Sequence, residues 1–224
     1  MNRNRLSRSR YVPTVFLACA LALGACTSTD AAESDMDGPS VASVPDTLAL
    51  DDVRAATSRF QDVEVALAEG YIRDPMDVCE TADMMGRPVE DGSMGIHFLR
   101  PDLLGVTEPP SPRVNGTGTH TDFLVPGVLI YEPQEDGSLK LVAVENLVFI
   151  AAWEAAGNSE PPSFRGRPFD RMVDDPATEL DEAHGFEPHY DLHMWLYREN
   201  PRGMYAQFNP NVTCAHHPSR AHMH

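Results

Sequence analysis

The chain of 224 residues contains one lysine, Lys140, and its seventeen basic residues stand against thirty-four acidic ones, a formal charge of −17. So little positive charge leaves no basic face to hold a phosphate backbone or an anionic bilayer surface, which excludes nucleic acid as a partner. Acidic excess mainly keeps a surface solvated, and cations are the guests it favours. There is no glycine-rich phosphate loop, no G-x-S-x-G nucleophile elbow and no internal repeat. Cysteine is scarce, with four in all.

What is present begins at the N-terminus. MNRNRLSRSR carries four arginines and no acid, and the apolar stretch YVPTVFLACALALGAC follows it. A basic segment followed by an apolar run too short to span a bilayer comfortably reads as a signal peptide, residues 1–25. Leu23-Gly24-Ala25-Cys26 looks like a bacterial lipobox, in which lipid is attached to Cys26 and the chain is cut just before it. Acyl chains contribute roughly 0.8 kcal/mol per buried methylene, and more than one suffices for stable anchoring. The expectation is a lipoprotein held on the outer side of a bacterial membrane in the cell envelope; the alternative is a plain secretory signal with an incidental cysteine. Loss of the four signal arginines leaves thirteen basic residues against thirty-four acidic ones, near −21.

Residues 26–47, rich in Ser, Asp, Ala and Pro without apolar periodicity, read as a flexible tether. Residues 48–214 suit one domain with its own core. The tail at 215–224, AHHPSRAHMH, reads as disordered and able to bind metal loosely. Cys19 leaves with the signal and Cys26 takes lipid, so Cys79 and Cys214 are the expected disulfide in a compartment that permits one.

Within the domain, Val53, Ala56, Phe60, Val63 and Leu67 recur at helical spacing and predict one amphipathic helix ending at Gly70. MGIHFLR predicts a short strand with His97 pointing away from Ile96 and Phe98. Residues 128–153 predict a hairpin turning at Glu135-Asp136-Gly137. Its second strand is apolar on both faces, with Leu139, Leu141, Ala143, Glu145, Leu147 and Phe149 on one of them. Residues 154–188 read as a long irregular loop, in which Arg165 and Arg167 either clamp an anion or pin the loop to its own acids. The fold class expected is α+β: an antiparallel sheet or partly closed barrel with the helix packed on it.

HYDLHMWLY, residues 189–197, decides the chemistry. As a helix it would put His189 and His193 on one face; strict alternation and the aromatic content favour a strand. On a strand the two histidines lie roughly 13 Å apart at ~3.3 Å per residue, too far to share an ion. Asp191 is then the nearer neighbour of His193, as co-ligand or as the group orienting its imidazole. Glu145, a lone carboxylate in an apolar row, and His97 need partners of their own, since buried ionisable groups are costly unless paired or bound to metal. If the three strands are neighbours, His97, Glu145 and His193 converge with Asp191 beside them. Such a set suits zinc, manganese, iron or nickel and leaves a position open for water, with Glu145 as ligand or general base of a hydrolase-like reaction. The alternative is a metal-free polar cluster that fixes strand register.

The ordered segments MGIHF, LIYEP, LKLVAVEN, LHMWLY, NPRGMY and FNPNVTC resemble an uncharacterised family of exported bacterial proteins, over most of residues 97–214. The resemblance implies a shared fold and a shared site around His97, Glu145 and His193, and brings no known reaction. Cupins also place histidines and a glutamate on strands, but their tight H-x-H pattern is missing here, so the comparison is one of analogy. Two functions are therefore expected in competition. One is an envelope lipoprotein with a metal or small-ligand site on its sheet; the other is a non-catalytic module whose loops bind another envelope protein.

Overall fold

The computed structural model describes residues 49–218 apart from Thr107. The signal peptide, Cys26, the tether and residues 219–224 lie outside the described residues.

The stripe from Val53 to Leu67 does not wind into one helix. α1 (Leu50–Thr57) passes into a 3-10 turn at Ser58–Gln61, and α2 (Val63–Ala68) starts afresh. Local hydrogen bonding supplies the reason. Thr57 Oγ1 donates to the Val53 carbonyl at 2.7 Å and Ser58 Oγ to the Ala55 carbonyl at 3.0 Å, while the Asp62 side chain accepts from the Glu64 N–H as an N-cap. The restart changes the helical phase, so Ala66 is buried with Val53 and Phe60 whereas Leu67 stays 43% exposed.

Among the described residues nine strands follow: β1 (Ile72–Arg73), β2 (Cys79–Thr81), β3 (Ser93–Leu99), β4 (Val128–Pro133), β5 (Leu139–Phe149), β6 (Ser163–Phe164), β7 (Arg167–Pro168), β8 (Asp170–Met172) and β9 (His189–Met194). The main sheet runs β1-β3-β4-β5-β9-β8, with β2 also paired to β3, and β6 and β7 form a separate ribbon. Every strand pair is antiparallel. The sheet is open, not closed into a barrel. Two further helices, α3 (Pro101–Leu104) and α4 (Ile150–Ala155), follow β3 and β5 directly. The predicted second hairpin strand therefore ends at Phe149 and not at Trp153. The loop predicted from 154 to 188 contains β6, β7 and β8.

β5 is central and buried from Leu141 to Phe149, as its two apolar faces require. Its register against β4 shifts once: Ile130 pairs with Ala143 but Tyr131 with Leu141, leaving Val142 as the extra residue. A period-two strand changes face at such a bulge. Leu139 and Leu141 consequently pack with Val144, Leu129 and Tyr131, opposite to Ala143, Glu145, Leu147 and Phe149, which corrects the single six-residue face. The sheet thus has two main cores, beside a smaller cluster of Ala82, Met85, Met94, Met172 and Phe208. One joins Ile96, Phe98, Leu129 and Leu192 to Val53, Phe60 and Ala66; the other joins Leu99, Val128, Ile130 and Leu147 to Leu104, Val114 and Phe186.

Cys79 and Cys214 form a disulfide across 135 residues of sequence. It fastens β2, where Cys79 pairs with Ile96, to the C-terminal segment. Closing a loop of this length restricts the unfolded chain by about 4 to 5 kcal/mol in the entropic account. The chain is not released after Cys214: His217 is buried, with Nε2 3.0 Å from Arg73 Nη2 and 3.3 Å from Asp77 Oδ1. The tail expected from 215 is seated at least to this residue.

Candidate metal centre

The site lies on the second of these cores. On β3, alternation sends Ile96 and Phe98 to the first core and His97 to the second. His97 is opposite Ile130 of β4, and Ile130 in turn opposite Ala143 of β5; Glu145, two residues on, shares that face and pairs with His193 of β9. His97 and Glu145 are two strands apart, about 10 Å of backbone, a gap that two long side chains reaching over β4 can close. They do so: Glu145 Oε2 is 3.4 Å from His97 Nε2 and 3.5 Å from His193 Nε2.

The side chains of His97, Glu145 and His193 are 2%, 0% and 2% exposed, and each offers a ligand atom within 4.8 Å of the other two. β9 is the strand that the alternation favoured. Asp191 stands beside the group, its Oδ2 3.8 Å from His193 Nδ1 and equally far from His189 Nε2.

Two residues join this cluster that strand alternation did not bring to the site. His189, on the same face of β9, lies at its far end opposite Phe149. His184 comes from the loop before β9; its ring stacks on His97 with centroids 5.7 Å apart and meets His189 edge-on at 5.3 Å. A loop residue has no periodicity to betray its direction. The available hint was its place beside Gly185, both with positive φ. Arg167, by contrast, pairs with Asp170 at 2.7 Å, which is the loop-pinning role.

The electrostatics follow from burial and proximity. Burial alone lowers the pKa of His97, but the Glu145 carboxylate outweighs it and Glu80 and Asp74 add to the effect, pushing the imidazole up to about 9. Burial raises Glu145, yet His193 and His97 hold it below the ordinary carboxylate value. His184 is held well below the usual histidine range by burial and by the neighbouring His189, His97 and His193. Glu80 is pushed up to about 7, chiefly by burial.

Hydrogen bonding is the decisive observation. His97 Nε2, both Glu145 oxygens, both His184 nitrogens, His189 Nε2, Asp191 Oδ2 and His193 Nε2 are buried without a hydrogen-bond partner. A single unpaired buried polar atom costs roughly 1 to 3 kcal/mol, and more when charged. Eight such atoms gather in one place. Cation ligation pairs such lone pairs all at once, and two imidazoles with a carboxylate are a donor set that divalent transition ions accept.

No protein-family model, no curated protein and no solved structure matches the chain.

Proposed function

We propose that this chain is an envelope lipoprotein, anchored through Cys26, that holds a divalent transition ion, zinc, manganese, iron or nickel, with His97, Glu145 and His193. One observation carries the reading: three strands aim an imidazole, a carboxylate and a second imidazole at one buried point where none of the facing atoms has a hydrogen-bond partner. Asp191 beside His193 Nδ1 orients that ring. Three protein ligands leave a coordination position for water, which supports hydrolase-like chemistry on a small substrate. A pocket of about 100 Å³ adjoins the cluster and is lined by Glu80 and His184 but by none of the three ligands.

Metal content tests the proposal. The chain is purified without an affinity tag and with His216→Ala, His222→Ala and His224→Ala, so that these terminal histidines contribute nothing. After reconstitution with each divalent ion in turn and gel filtration, bound metal is quantified by mass spectrometry. Stoichiometric ion that drops in His193→Ala supports the site. No retained ion with any of the four metals rejects it and favours a cluster that only sets strand register.

A further inference from the structure

The proposed centre uses three of the six side chains in this cluster whose buried polar atoms lack hydrogen-bond partners. The other three, His184, His189 and Asp191, make a second group with ligand atoms within 4.8 Å of one another, and the residues are 5%, 0% and 1% exposed. His189 and His193 stand four residues apart on one strand, and His193 falls in the first group and His189 in the second.

Each member of the second group is held as a ligand is held. His189 Nδ1 donates to the Glu187 carbonyl at 2.9 Å, which leaves Nε2 as a lone pair facing Asp191 Oδ2. His184 has φ +40, a left-handed conformation that costs a non-glycine residue on the order of 1 to 3 kcal/mol. Arg113 braces the loop in that shape, pairing with Asp174 at 2.7 Å and Asp181 at 2.9 Å and donating to the Phe186 carbonyl at 2.9 Å. The His184 N–H in turn donates to the Asp181 carbonyl at 3.1 Å. All this restraint presents an imidazole whose two nitrogens are both buried and unpartnered. Packing alone asks for an apolar side chain there.

We propose that His184, His189 and Asp191 form a second site for a divalent first-row transition ion, next to the centre formed by His97, Glu145 and His193. The site stands on its own three side chains; only the description of the whole as dinuclear rests on the first site. Asp191 Oδ2 links the two, since it is 3.8 Å from His189 Nε2 and from His193 Nδ1. Two cations so close repel, so the ions bind in two steps. The second site is the exchangeable one: His184 lines the small pocket whose wall carries the part-exposed Met76 and Met84, and no residue of the first site lines it.

Co2+ alone is the probe, titrated into the chain lacking His216, His222 and His224 and followed by visible absorption and metal analysis. Two Co2+ per chain are expected, taken up in two steps. His184→Asn, chosen because asparagine tolerates left-handed backbone, is expected to retain one ion and lose the weaker step, as is His189→Gln. His97→Gln is expected to retain one ion and lose the tighter step. Two ions retained by both His184→Asn and His189→Gln overturn the proposal. One ion in the unaltered chain, lost in His97→Gln but kept in His184→Asn, overturns it while the first site stands. One ion lost only in His184→Asn and His189→Gln upholds this site and rejects the first. One ion lost in every variant means a single shared site and overturns it as well. Near-ultraviolet circular dichroism checks that each variant is folded.

Discussion

Glu145 of β5 and His193 of β9 are direct partners in an antiparallel pair, and Glu145 Oε2 lies 3.5 Å from His193 Nε2 with neither atom hydrogen-bonded. A carboxylate and an imidazole that merely stabilise a sheet would close that gap into a hydrogen bond. Their shared orientation toward His97 leaves room for a third party.

Glu145→Gln keeps the shape of the side chain and removes the anionic ligand. Zinc at about a hundred times its dissociation constant stabilises the unaltered chain by roughly 2.7 kcal/mol, a Tm rise of roughly 5 to 10 °C for a domain of this size. In Glu145→Gln the rise is expected to fall below about 2 °C. In chelator the variant is expected to be less stable than the parent, because His97 and His193 hold the buried carboxylate in its charged form and its removal leaves the His97 imidazole without its counter-charge. Differential scanning calorimetry with zinc and with chelator reads both outcomes.

Glu80 makes the ion-free protein sensitive to pH. Its folded-state pKa, raised to about 7 chiefly by burial, lies above the ordinary value of 4.5. The folded chain then holds a proton that the unfolded chain releases, so this contribution is complete below 4.5 and is lost as pH rises through 7. Over that window the parent is expected to lose on the order of 3 kcal/mol more than Glu80→Gln. Urea unfolding in chelator, at a series of pH values across the window, measures the difference; parallel curves for the two proteins refute it.

Gly95 ties the β3 backbone to the site. Its φ is +120, and a β-carbon there would stand 2.7 Å from the Tyr131 carbonyl oxygen. Gly95→Ala must strain or push β3 from β4, two residues before His97. A loss of roughly 1 to 3 kcal/mol is expected, together with weaker ion binding although no ligand has been altered. Chemical denaturation and a zinc titration on the same sample check it; unchanged affinity would show that His97 is placed independently of this contact.

Cys26→Ser tests the proposed anchor. The parent is expected in the membrane fraction with labelled palmitate incorporated, and the variant is expected to lose the label and leave the membrane. A variant that stays membrane-bound would show that attachment does not depend on acylation of this cysteine.

Parts of the site were readable because strands repeat every two residues. Alternation in MGIHFLR and HYDLHMWLY marks His97, Asp191 and His193 as facing away from the neighbouring apolar residues, and Glu145 is conspicuous in an apolar row. Strict alternation puts Leu139 and Leu141 on the Glu145 face, and the bulge at Val142 reverses them, because it depends on how β4 and β5 meet. Leu67 leaves the buried stripe for a related reason: side-chain hydrogen bonds of Thr57, Ser58 and Asp62 reset the helix within one apparently continuous stripe.

The amino-acid order alone determined the acidic charge balance, the ionisable residues set among apolar ones, and the Cys79–Cys214 pairing, since these follow from side-chain type and from elimination among four cysteines. Only the tertiary structure decided that His97, Glu145 and His193 meet across three strands, and that His184 swings in from a loop to join His189 and Asp191. Convergence depends on strand order and register, which are set by packing between segments distant in the chain, whereas periodicity reports only which way each segment faces.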